Sequence, residues 1–280
     1  MKTLADFYNY AVALMKKRRV YFGHGTDNAE DEAWWLIASI LKLPIDQEIP
    51  EKMLTATELK ALQQVLQKRV EDRIPLAYLL REAYQYGHKF YVDERVLIPR
   101  SPIAELIKNQ FQPWIEAHRV KRILDLCTGS GCLAVLAALA FPKAHVDATD
   151  LSFDALEVAA RNKVPAMRLI ESDVFSALQG QKYDIILSNP PYVDARDLKE
   201  MPAEYHHEPR MALAAGEDGL DIVHRILKEA KAHLNPGGIL VVEVSNSEDA
   251  LVKAYPHLPF VWLDFEYGGH GVFLLKREDL

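Results

Sequence analysis

From residue 100 onward, short apolar runs alternate with segments whose apolar residues recur at spacings of three and four. That alternation leaves the chain very few architectures. Candidate strands are 122–127, 144–149, 167–170, 183–188, 238–244, 259–265 and 271–276; candidate helices are 102–110, 131–140, 152–162, 218–233 and 247–254. Strands separated by helices pair mostly in parallel, because the crossover returns the chain to the end of the sheet from which it set out. The expected fold class is therefore α/β, a Rossmann-like sheet with helices on both faces. In open sheets of this kind ligands bind beyond the carboxyl ends of the strands, so unusual residues at those ends carry the functional reading.

The first 75 residues read differently. Leu4, Phe7, Tyr8, Ala11, Leu14 and Met15 form one helical stripe, and Trp34, Trp35, Ile37, Ala38 and Leu41 form a second that stops near Pro44. Thr55 and Glu58 make a capping-box pattern ahead of Leu59, Leu62, Val65 and Leu66. Residues 73–99 lose the helical period. There Tyr84-Gln-Tyr-Gly and Phe90-Tyr-Val-Asp-Glu-Arg-Val-Leu-Ile read as a hairpin. The expected organisation is a helical domain over 1–75, a hairpin linker over 76–100 and a catalytic domain over 101–280.

Three strand ends point to a nucleoside cofactor. Ile123-Leu-Asp-Leu-Cys-Thr-Gly-Ser-Gly passes from strand through a glycine-rich turn into a helix, and Gly129 and Gly131 let a ligand approach the backbone there. Asp150 ends the next strand, 19 residues after Gly131, where a carboxylate accepts hydrogen bonds from ribose hydroxyls. Asp173 follows the third strand and could accept one from an adenine amino group. Taken alone, Asp150 reads as an N-cap for the 152–162 helix and Asp173 as a turn residue. Gly129-x-Gly131-x-x-Ala134 also permits a dinucleotide such as NAD. Asp125 argues against it, since a carboxylate beside a pyrophosphate is repulsive in a partly desolvated place. S-adenosylmethionine carries an ammonium group instead and suits that aspartate.

The fourth strand ends in Ser188-Asn-Pro-Pro-Tyr. A planar, conjugated nitrogen, in a carboxamide or an adenine amino group, has a delocalised lone pair and attacks a sulfonium methyl poorly. The Asn189 side-chain oxygen and the Pro190 carbonyl could accept its two N–H hydrogens and hold it before the methyl group. Pro190 and Pro191 stiffen the turn, and Tyr192 could pack on the flat target. The turn alone serves adenine and glutamine equally.

These motifs, with Glu208-Pro209 followed by Ala212-Leu and Gly219-Leu-Asp, resemble the protein glutamine N(5)-methyltransferases across nearly the whole chain. The resemblance implies a class I S-adenosylmethionine-dependent methyltransferase: a seven-stranded sheet with a reversed last strand, a small helical N-terminal domain and a β-hairpin linker. It implies S-adenosylmethionine as cofactor, with S-adenosylhomocysteine as product. By its motifs, Asn189, Pro190, Pro191 and Tyr192 would hold the substrate glutamine. Asp125, Cys127, Thr128, Gly129, Gly131, Asp150, Leu151, Asp173, Val174 and Asn189 would hold cofactor. Cys127 stands where many methyltransferases have glycine. Gly23-His-Gly-Thr-Asp-Asn with Asp31-Glu32, Leu97-Ile-Pro-Arg-Ser-Pro-Ile-Ala-Glu-Leu, and Tyr205-His-His-Glu-Pro are similar to the branch acting on large-subunit ribosomal protein L-three, free or in an assembling particle. The sibling branch acts on peptide-chain release factors.

Composition trims the alternatives. With 40 acidic and 33 basic residues the formal net charge is −7, which disfavours a duplex-DNA binder and suits a basic protein partner. An adenine methyltransferase, an assembly factor without activity and an NAD oxidoreductase are the rival readings. Cys127 and Cys132 lack zinc-site spacing, and no metal is expected. The longest apolar run, Cys132 to Phe141, is too short to span a membrane, so a soluble cytoplasmic protein is expected. Lys16-Lys17-Arg18-Arg19 reads as a polar helix end or as a contact for ribosomal RNA. His24 and His270 read as turn or surface residues. Glu243, at the end of a later strand, has no assignable role.

Overall fold

The computed structural model describes residues 2–280. Its first helix, α1 (Leu4–Lys17), opens on a capping box in which the Thr3 side chain and Asp6 satisfy each other's backbone N–H groups. Helix α2 (Ala29–Leu41) is capped by Asn28 and ends in the left-handed turn of Lys42 before Pro44. Helix α3 (Ala56–Glu71) carries the expected Thr55–Glu58 box. One apolar cluster joins Phe7, Met15, Trp35, Leu36, Leu62 and Leu66 from the three helices. A fourth short helix, α4 (Leu76–Leu80), starts on Pro75 in a stretch whose sequence shows no helical period. Five residues are too few for a period to show. Strands β1 (Ala83–Gln85) and β2 (His88–Phe90) form the hairpin, turned by Tyr86 and Gly87, both at positive φ. Its second strand is shorter than the sequence suggested, and residues 91–99 run on without a ladder partner.

Beyond it lie α5 (Ile103–Lys108), β3 (Arg122–Leu126), α6 (Cys132–Ala140), β4 (His145–Asp150), α7 (Phe153–Asn162), β5 (Met167–Glu171), β6 (Tyr183–Ser188), α8 (Asp197–Glu200), α9 (Asp221–His233), β7 (Leu234–Glu243), α10 (Glu248–Ala254), β8 (Val261–Trp262) and β9 (Val272–Lys276). The seven strands β3–β9 form one sheet in the order β5-β4-β3-β6-β7-β9-β8. Only β9 runs antiparallel to its neighbours. The central strands are apolar on both faces. Ile185 and Leu187 enter the core beneath α5 and α6, while Tyr183 and Ile186 enter the opposite core with α9 and α10. Among the described residues, no helix is long and apolar enough to cross a membrane.

Two contacts fasten the N-terminal helices to this sheet. Ala155 and Val158 on α7 belong to the helical cluster, and the same helix packs on β4 and β5. The second contact is ionic. Arg69 is fully buried on α3, donating to Glu32 at 2.5 Å, to Glu204 at 3.3 Å and to the Tyr21 carbonyl at 2.6 Å. Burial opposes charge on Glu204, but the Tyr21 N–H and Arg69 hold its carboxyl below the usual range. Glu204 lies in the 3-10 turn 203–207, downstream of Asn189, so this contact ties the helices to the loop that follows the Asn-Pro-Pro-Tyr turn. Arg69→Ala leaves the buried Glu32 carboxylate without its cation and Glu204 with Arg73 alone. It should cost about 3–5 kcal/mol, read from urea unfolding of both proteins; a loss no larger than for an exposed arginine would deny the ion network its place in the fold.

Candidate active site

Ladder register decides which residues meet at the carboxyl edge of the sheet. Leu126 on β3 pairs with Thr149 on β4 and Ser188 on β6, and Ser188 pairs with Val242 on β7. The next residue of each strand path is therefore Asp150, Cys127, Asn189 and Glu243, side by side along one rim. A cavity of about 250 Å³ opens there. Asp125, Cys127, Thr128, Gly129, Asp150, Leu151, Asp173, Val174, Asn189 and Pro191 all line it. Of the residues read from the sequence, Gly131, Pro190 and Tyr192 do not.

The glycine-rich turn owes its shape to left-handed backbone. Cys127, Gly129 and Gly131 have φ of 58°, 54° and 79°. This accounts for the glycine commonly found at the position of Cys127, where an L side chain costs roughly 1–2 kcal/mol. Gly129 faces open space, as a cradle for a ligand must, whereas a Cβ on Gly131 would lie 3.2 Å from the Ala159 side chain. Gly131 thus serves the packing of α6 on α7. Asp150 holds the turn in place: its two oxygens accept the Gly129 and Ser152 N–H groups, each at 2.9 Å. The N-cap of α7 is Ser152, which corrects the reading of Asp150 as that cap. Asn162, at the end of α7, donates to the Ser130 and Tyr91 carbonyls and ties the linker to the same turn.

Asp125 is 1% exposed. Burial pushes its carboxyl up to about 7, the neighbouring Asp150 charge adds to this, and hydrogen bonds from Thr128 and the Ala134 N–H oppose it. The residue is poised between its neutral and charged forms, and a cation in the cavity would settle it in the charged one. Asp173 is half-exposed and bound to Arg225 on α9 at 2.8 Å, which lowers its pKa. One of its oxygens is thus engaged before any ligand arrives. Val174 beside it is β-branched yet sits at φ 52°, a strained conformation of the kind that gathers at ligand sites.

At Asn189 the backbone leaves the sheet. The side-chain oxygen is buried and has no hydrogen-bond partner. An unpaired buried acceptor costs roughly 1–3 kcal/mol, so the position is destabilised until a donor reaches it. Tyr192 turns away from the cavity and donates its hydroxyl to Glu243 at 3.0 Å. Gly219, at φ 78°, lets the Tyr192 carbonyl and Ser247 pass where a Cβ would stand, which explains the glycine of the Gly219-Leu-Asp motif.

The remaining walls come from residues the sequence flagged only as motifs. Residues 95–101 and the 209–214 segment close the cavity from above, and Glu208 joins them. Its oxygens accept both arms of Arg100, at 2.7 and 2.8 Å, and the Ile98 N–H at 3.0 Å. Although buried, the Glu208 carboxyl is held down at about 2, chiefly by Arg100. His24 is not a surface residue: it is 2% exposed, its ring tilted 54° against Tyr205 with centroids 4.5 Å apart, and it lies 3.7 Å from Glu208. Two distant sequence stretches, around Gly23 and around Tyr205, therefore form one buried cluster behind the cavity. His270 is exposed and contacts Asn246.

A family model described as the methyltransferase small domain matches residues 108–205. A ribosomal protein uL3 glutamine methyltransferase of Burkholderia pseudomallei (strain K96243) is 46% identical over 294 residues, covering 100% of this chain and 96% of its own. The protein of the same name from Neisseria meningitidis serogroup B (strain ATCC BAA-335 / MC58) is 47% identical, covering 100% and 95%. Among solved structures, the hMettl16 catalytic domain in complex with a 3'UTR hairpin superposes with a TM-score of 0.51 at 16% identity, covering 81% of this chain and 84% of that one. That likeness concerns the fold.

The two glycines of the turn should respond differently to alanine. Gly131→Ala combines left-handed strain of roughly 1–2 kcal/mol with the Ala159 contact and should lower the thermal midpoint more than Gly129→Ala does. Equal midpoints for the two variants would contradict the packing role of Gly131.

Proposed function

The chain belongs to the family of ribosomal protein uL3 glutamine methyltransferases, and we propose that it transfers a methyl group from S-adenosylmethionine to the side-chain amide nitrogen of a glutamine in that ribosomal protein. The observation that carries this reading is the buried, unpartnered Asn189 oxygen at the cavity wall. It suits an N–H donor, and a primary amide brings two. The Pro190 carbonyl is the second acceptor. With both hydrogens engaged, the nitrogen is fixed in the turn and its lone pair is directed outward, which lowers the cost of leaving amide conjugation as the new bond forms. The methylated amide then sheds one proton, so no strong base is needed. Pro191 lines the approach and Tyr192 stabilises the turn.

The other end of the cavity fits the cofactor. When bound, S-adenosylmethionine supplies an electrophilic sulfonium methyl. Asp125 would pair with its ammonium group, Gly129 and Thr128 would hold the amino-acid part, Asp150 and Leu151 the ribose, and Asp173 and Val174 the adenine. Cys127 also lines the cavity. The helical segment 1–75 serves as the substrate-recognition domain, 76–100 as the linker and 101–280 as the catalytic domain. The chain's excess of acidic residues suits a basic ribosomal protein. Lys17, Arg18 and Arg19 stay exposed at the end of α1, while Lys16 pairs with Glu30, leaving three cations free for ribosomal RNA near the substrate. The reaction takes place in the cytoplasm, on free or assembling ribosomal protein.

Methyl-labelled S-adenosylmethionine, offered with unmodified uL3, an unmodified release factor and unmethylated DNA in parallel, tests the reading. Label should enter uL3 alone and be recovered as N(5)-methylglutamine. Asn189→Ala should reduce transfer by at least roughly a thousandfold while calorimetric cofactor affinity stays within about threefold. Label in the release factor would move the substrate to the sibling branch, and label in DNA would replace glutamine by adenine.

Asp125 generates a pH dependence. A bound ammonium favours the charged carboxylate, so the complex holds fewer protons than the free protein whenever the pH is below about 7. Affinity for S-adenosylmethionine should therefore weaken as pH falls from 7 toward 5.5, by up to roughly tenfold per pH unit, and level off above 7. Asp125→Asn should bind more weakly at pH 8 and show a flatter profile. An unchanged slope in that variant would assign the proton elsewhere.

A further inference from the structure

We propose that Glu243 is a positioning residue for methyl transfer, setting the spacing between the turn that holds the target and the wall that covers the cofactor. The inference rests on the functional reading above and adds to it a residue outside the cavity. Glu243 ends β7 beside Asn189 on the sheet rim, is 5% exposed and, among the described residues, makes no ion pair, although the charge of Arg100 acts on it. Each of its oxygens is assigned to a different structure. Oε1 accepts the Tyr192 hydroxyl at 3.0 Å, and Oε2 accepts the Ser101 hydroxyl at 2.6 Å.

Both partners belong to segments outside the sheet. Tyr192 lies four residues beyond Ser188, the last residue of β6, in a segment with no ladder of its own apart from the single bridge between Val193 and Ala214. Ser101 ends the wall formed by 95–101; its carbonyl accepts from Gln85 in the hairpin and its hydroxyl oxygen accepts the Ile103 N–H that opens α5. Glu243, by contrast, is on a central strand buried on both faces, which makes it the rigid member of the trio. Burial raises the pKa of the Glu243 carboxyl, and hydrogen bonds from Ser101 and Tyr192, with the charge of Arg100, oppose the rise. A purely structural link between two hydroxyls needs no charge. A carboxylate has two equivalent acceptor oxygens and no donor, so it orients both hydroxyls toward itself and fixes both segments at once. An amide, with one acceptor oxygen, holds one of them in that sense.

The test measures steady-state transfer to uL3 and cofactor affinity for Glu243→Ala, Glu243→Gln, Tyr192→Phe and the Tyr192→Phe/Glu243→Ala double variant. Misplacing a reacting group by about 1 Å costs roughly a hundredfold. Glu243→Ala should lower kcat by that order with cofactor affinity within about threefold, and Glu243→Gln should recover part of the loss. Tyr192→Phe should cost little more once Glu243 is gone, because the two share one interaction. Glu243→Gln preserves the shape and one of the two accepted hydrogen bonds, so it carries the test if the alanine variant does not fold. Full kcat in Glu243→Gln and Glu243→Ala, or additive losses in the double variant, would overturn the positioning role alone. A wild-type enzyme that methylates no glutamine would overturn the functional reading, and this inference with it.

Discussion

The parallel register of β4, β3, β6 and β7 is the constraint from which the rest of the molecule follows. These strands are covered on both faces, so along most of their length only apolar side chains fit. Polar groups become affordable where the strands end, and register makes them end together. Asp150, Cys127, Asn189 and Glu243 occupy one rim because Thr149, Leu126, Ser188 and Val242 occupy one row. Neighbouring strands in a sheet lie roughly 4.8 Å apart. A site assembled across several of them therefore brings the Asp150 carboxylate and the Asn189 amide to one cavity.

A rim of loops is rigid only if something outside the sheet holds it. In this chain that work falls to buried carboxylates. Glu204 reaches back to Arg69 and Tyr21 in the helical part, and Glu208 to Arg100 and Ile98 in the wall of the cavity. Both belong to the segment that follows the Asn-Pro-Pro-Tyr turn. The helices are consequently attached to the target side of the site as well as to α7, and their position bears on how the turn is presented. Each of these carboxylates is compensated by arginine and backbone N–H groups, which is why burial does not neutralise them.

Asp125 is treated oppositely. It has hydrogen bonds but no cation, and Asp150 is a like charge nearby, so burial raises its pKa to about 7. The contrast separates a carboxylate paired within the protein from one that has no partner cation. Glu208 is satisfied by the protein itself. Asp125 and the Asn189 oxygen are not, and both face the space where cofactor and target would meet.

The alternation of elements, the strand limits to within a few residues, the glycine turn and the Asn-Pro-Pro-Tyr motif were all legible in the amino-acid sequence. Each is a local property: periodicity, turn chemistry and the charge of a residue at a strand end. The helix 76–80 escaped because five residues carry no period, and the second hairpin strand was overextended because apolar alternation does not say whether a partner strand is present. The burial of His24 against Tyr205 and Glu208, the link from Arg69 to Glu204, and the pairing of Glu243 with Tyr192 and Ser101 join residues separated by many tens of positions. No local pattern encodes such pairs. They exist because packing brings two loops to one place and a buried polar atom there must find a partner, so the sequence by itself determined the chemistry available at the strand ends, and the tertiary structure decided which of those groups are spent on holding the site together and which are left for substrate.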